Sequence, residues 1–208
     1  MPLIRKPKDS PAIQNPIAGD ILTSLADPDT DRRWAAARDA TRFVGGVAAL
    51  AAALRTETDS RVREAMFTSL ARIGSTEAAN ALISMLRSDD ANLRTGALDT
   101  LRIMVSQVRD LLPGLLTDQD VDIRILSCEL ARSLPSGDAT RLMCGVLDHE
   151  SEANVCAAAV DVLTETGGAE ALASLHGCAL RFRDSAFLVF AIKVVTDRIA
   201  AQSAPSRA

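Results

Sequence analysis

Asp59-Ser60-Arg61-Val62-Arg63-Glu64-Ala65-Met66-Phe67-Thr68-Ser69-Leu70-Ala71-Arg72-Ile73-Gly74 is the stretch whose reading decides the fold. Val62, Ala65, Met66, Ser69, Leu70 and Ile73 recur at helical spacing and line one face. Asp59 stands where it can cap the helix, and Gly74 stands where a helix ends. The same Asp-to-Arg spacing of four residues recurs at Asp29/Arg33, Asp59/Arg63, Asp90/Arg94 and Asp120/Arg124. The Arg-to-Arg steps are 30, 31 and 30 residues. After the third Asp the helix face repeats as Leu93, Gly96, Ala97, Thr100, Leu101 and Met104. A beat this regular predicts a stack of helical hairpins, each burying its face on the next, rather than one globular core.

Working outward, the Arg register divides the chain into six units. Each has a first helix closing on Leu25, Leu54, Leu86, Leu116, Leu147 or Leu180, then a short and mostly acidic turn, then a second helix. Asp in those turns satisfies free N–H groups and favours the positive end of the helix dipole. Gly45-Gly46, Gly74-Ser75, Pro135-Ser136-Gly137 and Gly167-Gly168 mark breaks between units, whereas the junction at Val105-Ser106 lacks glycine. Pro113 is expected to kink the first helix of the fourth unit. Pro2, Pro7, Pro11 and Pro16 predict a mobile N-terminal tail over residues 1–16, followed by the repeat array over 17–200 and a second tail over 201–208.

The Asp59–Gly74 stretch resembles the HEAT repeat, in the short form named after phycobilisome lyases. The resemblance extends over about residues 17–200 and is strongest in units two to four. It implies an all-α, right-handed α-solenoid of about six HEAT-like helical hairpins, with the second helices lining a concave face. It also implies that the repeated Asp and Arg residues form a ladder between adjacent repeats. The fifth unit has Glu152 and Cys156 at these positions and the sixth has Asp184 and Leu188. The ladder is therefore expected to stop after the fourth unit, with mainly apolar packing holding the last two.

Composition narrows the function. The chain is 48% hydrophobic but only 3% aromatic, so its core must be aliphatic, which suits close helix packing. Arg outnumbers Lys twenty to three, a usage that fits a GC-rich bacterial genome. The net charge of −4 and the mixed second-helix positions Arg38, Thr68, Asp99, Glu129, Asp161 and Lys193 argue against nucleic acid. No apolar run approaches the roughly 20 residues of a membrane span. There is no leader-like segment at the N-terminus, and a soluble, cytoplasmic protein is expected. Cys128, Cys144, Cys156 and Cys178 form no CxxC pair and are expected to be buried, reduced thiols.

No catalytic residue, cofactor or metal site is expected. His149-Glu150 resembles one His-Glu pair of the HEAT-repeat hydroxylase that modifies deoxyhypusine, but that family needs several such pairs to hold two irons. Met1-Pro2 resembles the start of N-terminal-proline tautomerases, and nothing after Ile4 continues the match. No phosphate-binding loop, GxSxG or dinucleotide fingerprint is present.

What remains are faces. Four residues after each register position stand Ala37, Phe67, Leu98, Cys128, Val160 and Ile192, all apolar; one residue after stand Trp34, Glu64, Thr95, Ile125, Ala157 and Val189. Facing solvent, this column is a groove for an apolar helix or peptide; alternatively, superhelical twist buries part of it between repeats. Phe67, Leu98, Ile125 and Val160, flanked by Trp34, are the expected anchors, and Arg38, Glu64, Asp99 and Arg102 the orienting charges. Ala186–Val195 is apolar nearly all round. With Phe187, Phe190, Ala191 and Val194 packed inward, Leu188, Val189 and Ile192 would need cover from the chain's own tail, a partner or a second copy forming a homodimer. Alternatively the helix is buried within the monomer. The reading is a non-catalytic scaffold or adaptor for protein partners in a bacterial regulatory or signalling assembly. The other reading is an accessory enzyme of the bilin-lyase type, which the family's namesake activity implies.

Overall fold

The computed structural model describes residues 18–203. All regular structure among these residues is helical, in twelve α-helices that pair into six hairpins. The fold is an all-α repeat of helical hairpins, as the Asp–Arg beat predicts. The expected tail over 1–16 and residues 204–208 lie outside the described residues. The chain divides into two compact units within one helix, at Met66/Phe67.

The first unit contains α1 (Ala18–Leu25), α2 (Thr30–Asp39), α3 (Gly46–Leu54) and the start of α4 (Ser60–Ile73). α1 packs on both α2 and α3. Ile21, Leu25, Ala37, Leu50, Leu54 and Val62 form the core. The Gly45-Gly46 break makes two distinct demands. Gly45 adopts a left-handed φ of 84°, and a side chain on Gly46 would collide with the Ala40 carbonyl.

The second unit continues α4 and adds α5 (Thr76–Met85), α6 (Ala91–Ile103), α7 (Val105–Leu115) and α8 (Val121–Ala131). α9 (Ser136–His149), α10 (Ala153–Thr166), α11 (Leu172–Arg181) and α12 (Ala186–Ser203) complete it. The second helices α6, α8, α10 and α12 pack one on the next, with α5 beside α7 and α9 beside α11 on the other side. First helices end within two residues of the expected leucines, an ordinary uncertainty for helix termini. The glycine-free junction breaks at a single residue, Met104, whose φ of −88° and ψ of 47° leave the helical region. Pro113 lies in the last turn of α7.

The register explains the core. In α6, α8 and α10 the residues just before the register position (Leu93, Ile123 and Val155) are buried, as are Thr100, Leu130 and Val162 seven residues further on. These two columns are one stacking face. Three and seven residues after the register position the same helices bury Ala97, Ser127 and Ala159, then Leu101, Ala131 and Leu163. The Phe67 ring occupies the space that a side chain on Gly96 would need.

Candidate functional site

Along the turns, each Asp of the beat caps its own helix. Asp29 accepts from the N–H groups of Asp31 and Arg32, Asp59 from Arg61 and Val62, and Asp90 from Asn92 and Leu93; Asp120 accepts from Asp122. The Arg partner folds back onto the carbonyl six residues upstream: Arg33 on Asp27 (2.9 Å), Arg63 on Glu57 (2.7 Å), Arg94 on Ser88 (2.5 Å) and Arg124 on Asp118 (2.7 Å). Cys156 repeats the gesture weakly, its Sγ 3.9 Å from the Glu150 carbonyl. The residue carrying that carbonyl also uses its side chain. Asp27, Glu57, Ser88 and Asp118 accept from the N–H of the capping Asp, and Glu150 accepts from Glu152.

Most contacts between hairpins in this edge come from acids the Asp–Arg pattern alone does not include; Asp120 is the exception. Arg33 grips Glu57 with two hydrogen bonds (2.7 and 3.1 Å), and Arg124 grips Glu150 likewise (2.8 and 3.3 Å). Arg87 reaches Asp118 at 2.6 Å and Asp120 at 3.3 Å. Burial pushes the Glu57 and Glu150 carboxyls up. The bidentate arginine and two backbone N–H groups outweigh it, holding both below their ordinary value. The ladder of the sequence expectation thus exists in altered form: Asp caps, Arg pins the turn, and Glu receives the neighbour. The signal was present as an acidic or hydroxyl residue six before each of the first five register positions, at Asp27, Glu57, Ser88, Asp118 and Glu150.

The last unit adds three polar contacts to the mainly apolar packing expected of it. Arg181 donates to the Leu147 carbonyl, and Arg198 to the carbonyls of Leu163 (3.0 Å) and Gly167 (2.6 Å). These close the C-terminal ends of α9 and α10, where a cation is favoured.

The expected apolar column is not a continuous solvent-facing stripe. Ala37, Cys128, Val160 and Ile192 are buried, so Val160, 1% exposed, is removed from the anchors. The stacking of one second helix on the next covers these positions. Phe67, Leu98 and Ile125 remain half-exposed. Trp34, in the first unit, lies between two guanidinium groups, Arg38 at 4.6 Å and Arg61 at 5.4 Å from the ring centre. Glu64 is exposed. Asp99 and Arg102 belong to a row of ion pairs that runs over three second helices. Arg102 pairs with Asp99 (2.8 Å) and Glu129 (3.5 Å); Arg132 pairs with Glu129 (3.5 Å), Asp161 (2.5 Å) and Glu165.

Pro113, Leu116, Leu142 and Val146, with Arg124, Arg141, His149 and Glu150, line a groove of about 390 Å³. Among the described residues no cluster of His, Cys, Asp and Glu could hold a metal ion, and no helix is long and apolar enough to cross a membrane. The four cysteines are unpaired; burial pushes the Cys128 thiol up to about 12, so it is neutral and inert.

The orientation of α12 reverses the sequence expectation. Leu188 and Ile192 face inward with Val195 and Ile199, while Phe187 (73% exposed), Phe190 (66%) and Val194 (47%) face out; Val189 is half-buried. Hydropathy cannot orient a helix that is apolar all round, but the register can. Leu188, Ile192 and Val195 hold the positions that Cys156, Val160 and Leu163 hold in α10, and all six are buried.

Residues 19–102 match the family of HEAT repeats. Among solved structures the chain is similar to the archaeal HEAT-like repeats protein from Thermococcus onnurineus NA1, at 18% identity over 88% of this chain and 87% of that one, with a TM-score of 0.46. It is also similar to the complex of CpcE and CpcF of phycocyanin lyase from Nostoc sp. PCC7120, at 17% identity over 94% and 100%, with a TM-score of 0.36. A third similarity is to an engineered protein, at 18% identity over 88% and 96%, with a TM-score of 0.41. No curated protein matches the chain.

Proposed function

We propose that this chain, whose residues 19–102 carry HEAT repeats, is a non-catalytic scaffold that binds protein partners on its second-helix face in a regulatory or signalling assembly. One observation carries the reading: half-exposed apolar residues stand beside charges that are already fixed in place. Leu98 and Ile125 each precede by four residues a member of the ion-pair row, Arg102 and Glu129, and so share a helix face with it. Side chains held in ion pairs lose little freedom on binding, and they orient a partner whose own apolar residues meet Leu98 and Ile125. Phe67 extends this strip, while Trp34, Arg38 and Glu64 offer a second contact in the first unit. Four unpaired cysteines suit a reducing compartment such as the cytoplasm. The test is affinity capture with wild-type protein against Leu98→Asp and Ile125→Asp, each checked for an unchanged melting transition. Loss of a discrete partner set supports the strip, and its retention removes it.

A second reading rests on the groove lined by Leu142 and Val146. Its apolar residues together with Arg141 and His149 are the combination a bilin would need. An accessory enzyme of the bilin-lyase type predicts a red-shifted absorption band when bilin is added, diminished in Arg141→Ala. An unchanged spectrum removes this reading.

A further inference from the structure

The exposed side of α12 is the stacking face of the repeat. Phe187 and Val194 occupy the two columns that are buried as Leu93, Ile123 and Val155, and as Thr100, Leu130 and Val162, in the three preceding second helices. Each of those helices is followed by another hairpin; α12 is followed by none among the described residues. The face is therefore shaped for a helix, and its composition says which helix. Its N-terminal half is large (Phe187, Phe190) and its C-terminal half small, with Ala201 exposed. Lys193 and Asp197, 69% and 64% exposed, flank it as one positive and one negative charge a turn apart. A parallel or head-to-tail neighbour has no reason to match that arrangement. An antiparallel copy of the same helix matches it twice. With a two-fold axis midway between the levels of Val194 and Asp197, Phe190 of each copy lies over Ala201 of the other. Lys193 of each then faces Asp197 of the other.

We infer that the α12 outer face is a self-complementary interface, on which two copies of this chain associate as an antiparallel, two-fold dimer. The 18 residues of α12 give a contact about 27 Å long. One helix pair of that length is at the small end of specific interfaces, so weak, concentration-dependent association is expected. The interface is separate from the second-helix strip and stands or falls independently of partner binding there.

Sedimentation velocity on the full chain from about 1 to 200 µM tests it. The mass is expected to rise from 22.0 kDa toward a dimer and to stop there. Phe190→Glu is expected to weaken association by about 100-fold while the helical circular dichroism melt stays in place. The register is read by charge exchange. Lys193→Asp alone and Asp197→Lys alone each place like charges across the axis and should weaken self-association. Mixed together they restore opposite charges at both ends, and a heterodimer should recover the wild-type affinity. The pair within one chain cannot be restored by mixing, so recovery reports the contact between copies. A monomer at every concentration, growth beyond two copies, a dimer indifferent to a folded Phe190→Glu, or a mixture no tighter than its components would each overturn the inference.

Discussion

Arg124 shows how one side chain does two things at the turn edge: it pins its own turn through the Asp118 carbonyl, and it grips Glu150 of the next hairpin with two bonds. Its partner is 9% exposed, so removing the carboxylate leaves a mostly dehydrated cation. Glu150→Ala is expected to cost about 2 kcal/mol, read as a lower midpoint in urea. Because Glu57 and Glu150 are held below the ordinary carboxyl value of 4.5, their contribution is complete above that value and is lost as pH falls through their lower folded values. The melting temperature should therefore fall on acidification below about pH 4.5. Glu150→Gln, which cannot titrate, should give a shallower acid limb than wild type. Asp120→Ala, which removes an N-cap and an exposed contact to Arg87, is expected to cost about 1 kcal/mol at neutral pH. The caps were legible in the sequence because capping is local. The glutamates were not, because the acid that receives Arg33 or Arg124 is some 25 residues away and looks in sequence like any residue of an acidic turn.

At the scale of the element, the register determines what a substitution does. Leu130 and Val194 hold equivalent positions in α8 and α12, one buried and the other exposed. Leu130→Ala should cost about 2–5 kcal/mol. Val194→Ala should change the stability of the monomer by no more than about 0.5 kcal/mol, and equilibrium denaturation measures both. The Phe67–Gly96 contact gives a coupled case. Gly96→Ala alone sets a helix-propensity gain of about 1 kcal/mol against displacement of the Phe67 ring. In a Phe67→Ala background the gain should appear in full, so the double-mutant cycle should show coupling rather than additivity. The helices themselves, and their ends to within two residues, were legible from periodicity and turn residues. Which way α12 faces was not legible from hydropathy, since apolar residues surround the helix. Nor did hydropathy show that Val160 and Ile192 would be covered, because that depends on how closely one second helix stacks on the next.

For the whole molecule, the repeat accounts for what is and is not present. Polar side chains of the hairpins are used in caps, bonds to turn carbonyls and ion pairs, and no cluster of His, Cys, Asp and Glu among the described residues could hold a metal ion. The stack does keep surfaces: a strip of Phe67, Leu98 and Ile125 beside a fixed row of charges, and an uncovered stacking face on α12. The strip lies within the face that the sequence column picks out, although burial removes Val160 from it, and its use by partners is the central claim. Affinity capture followed by mass spectrometry, with wild type and a folded Leu98→Asp/Ile125→Asp variant side by side, tests that claim most directly. A discrete set of proteins retained by wild type and lost by the variant is the predicted result. The same set retained by both would contradict it.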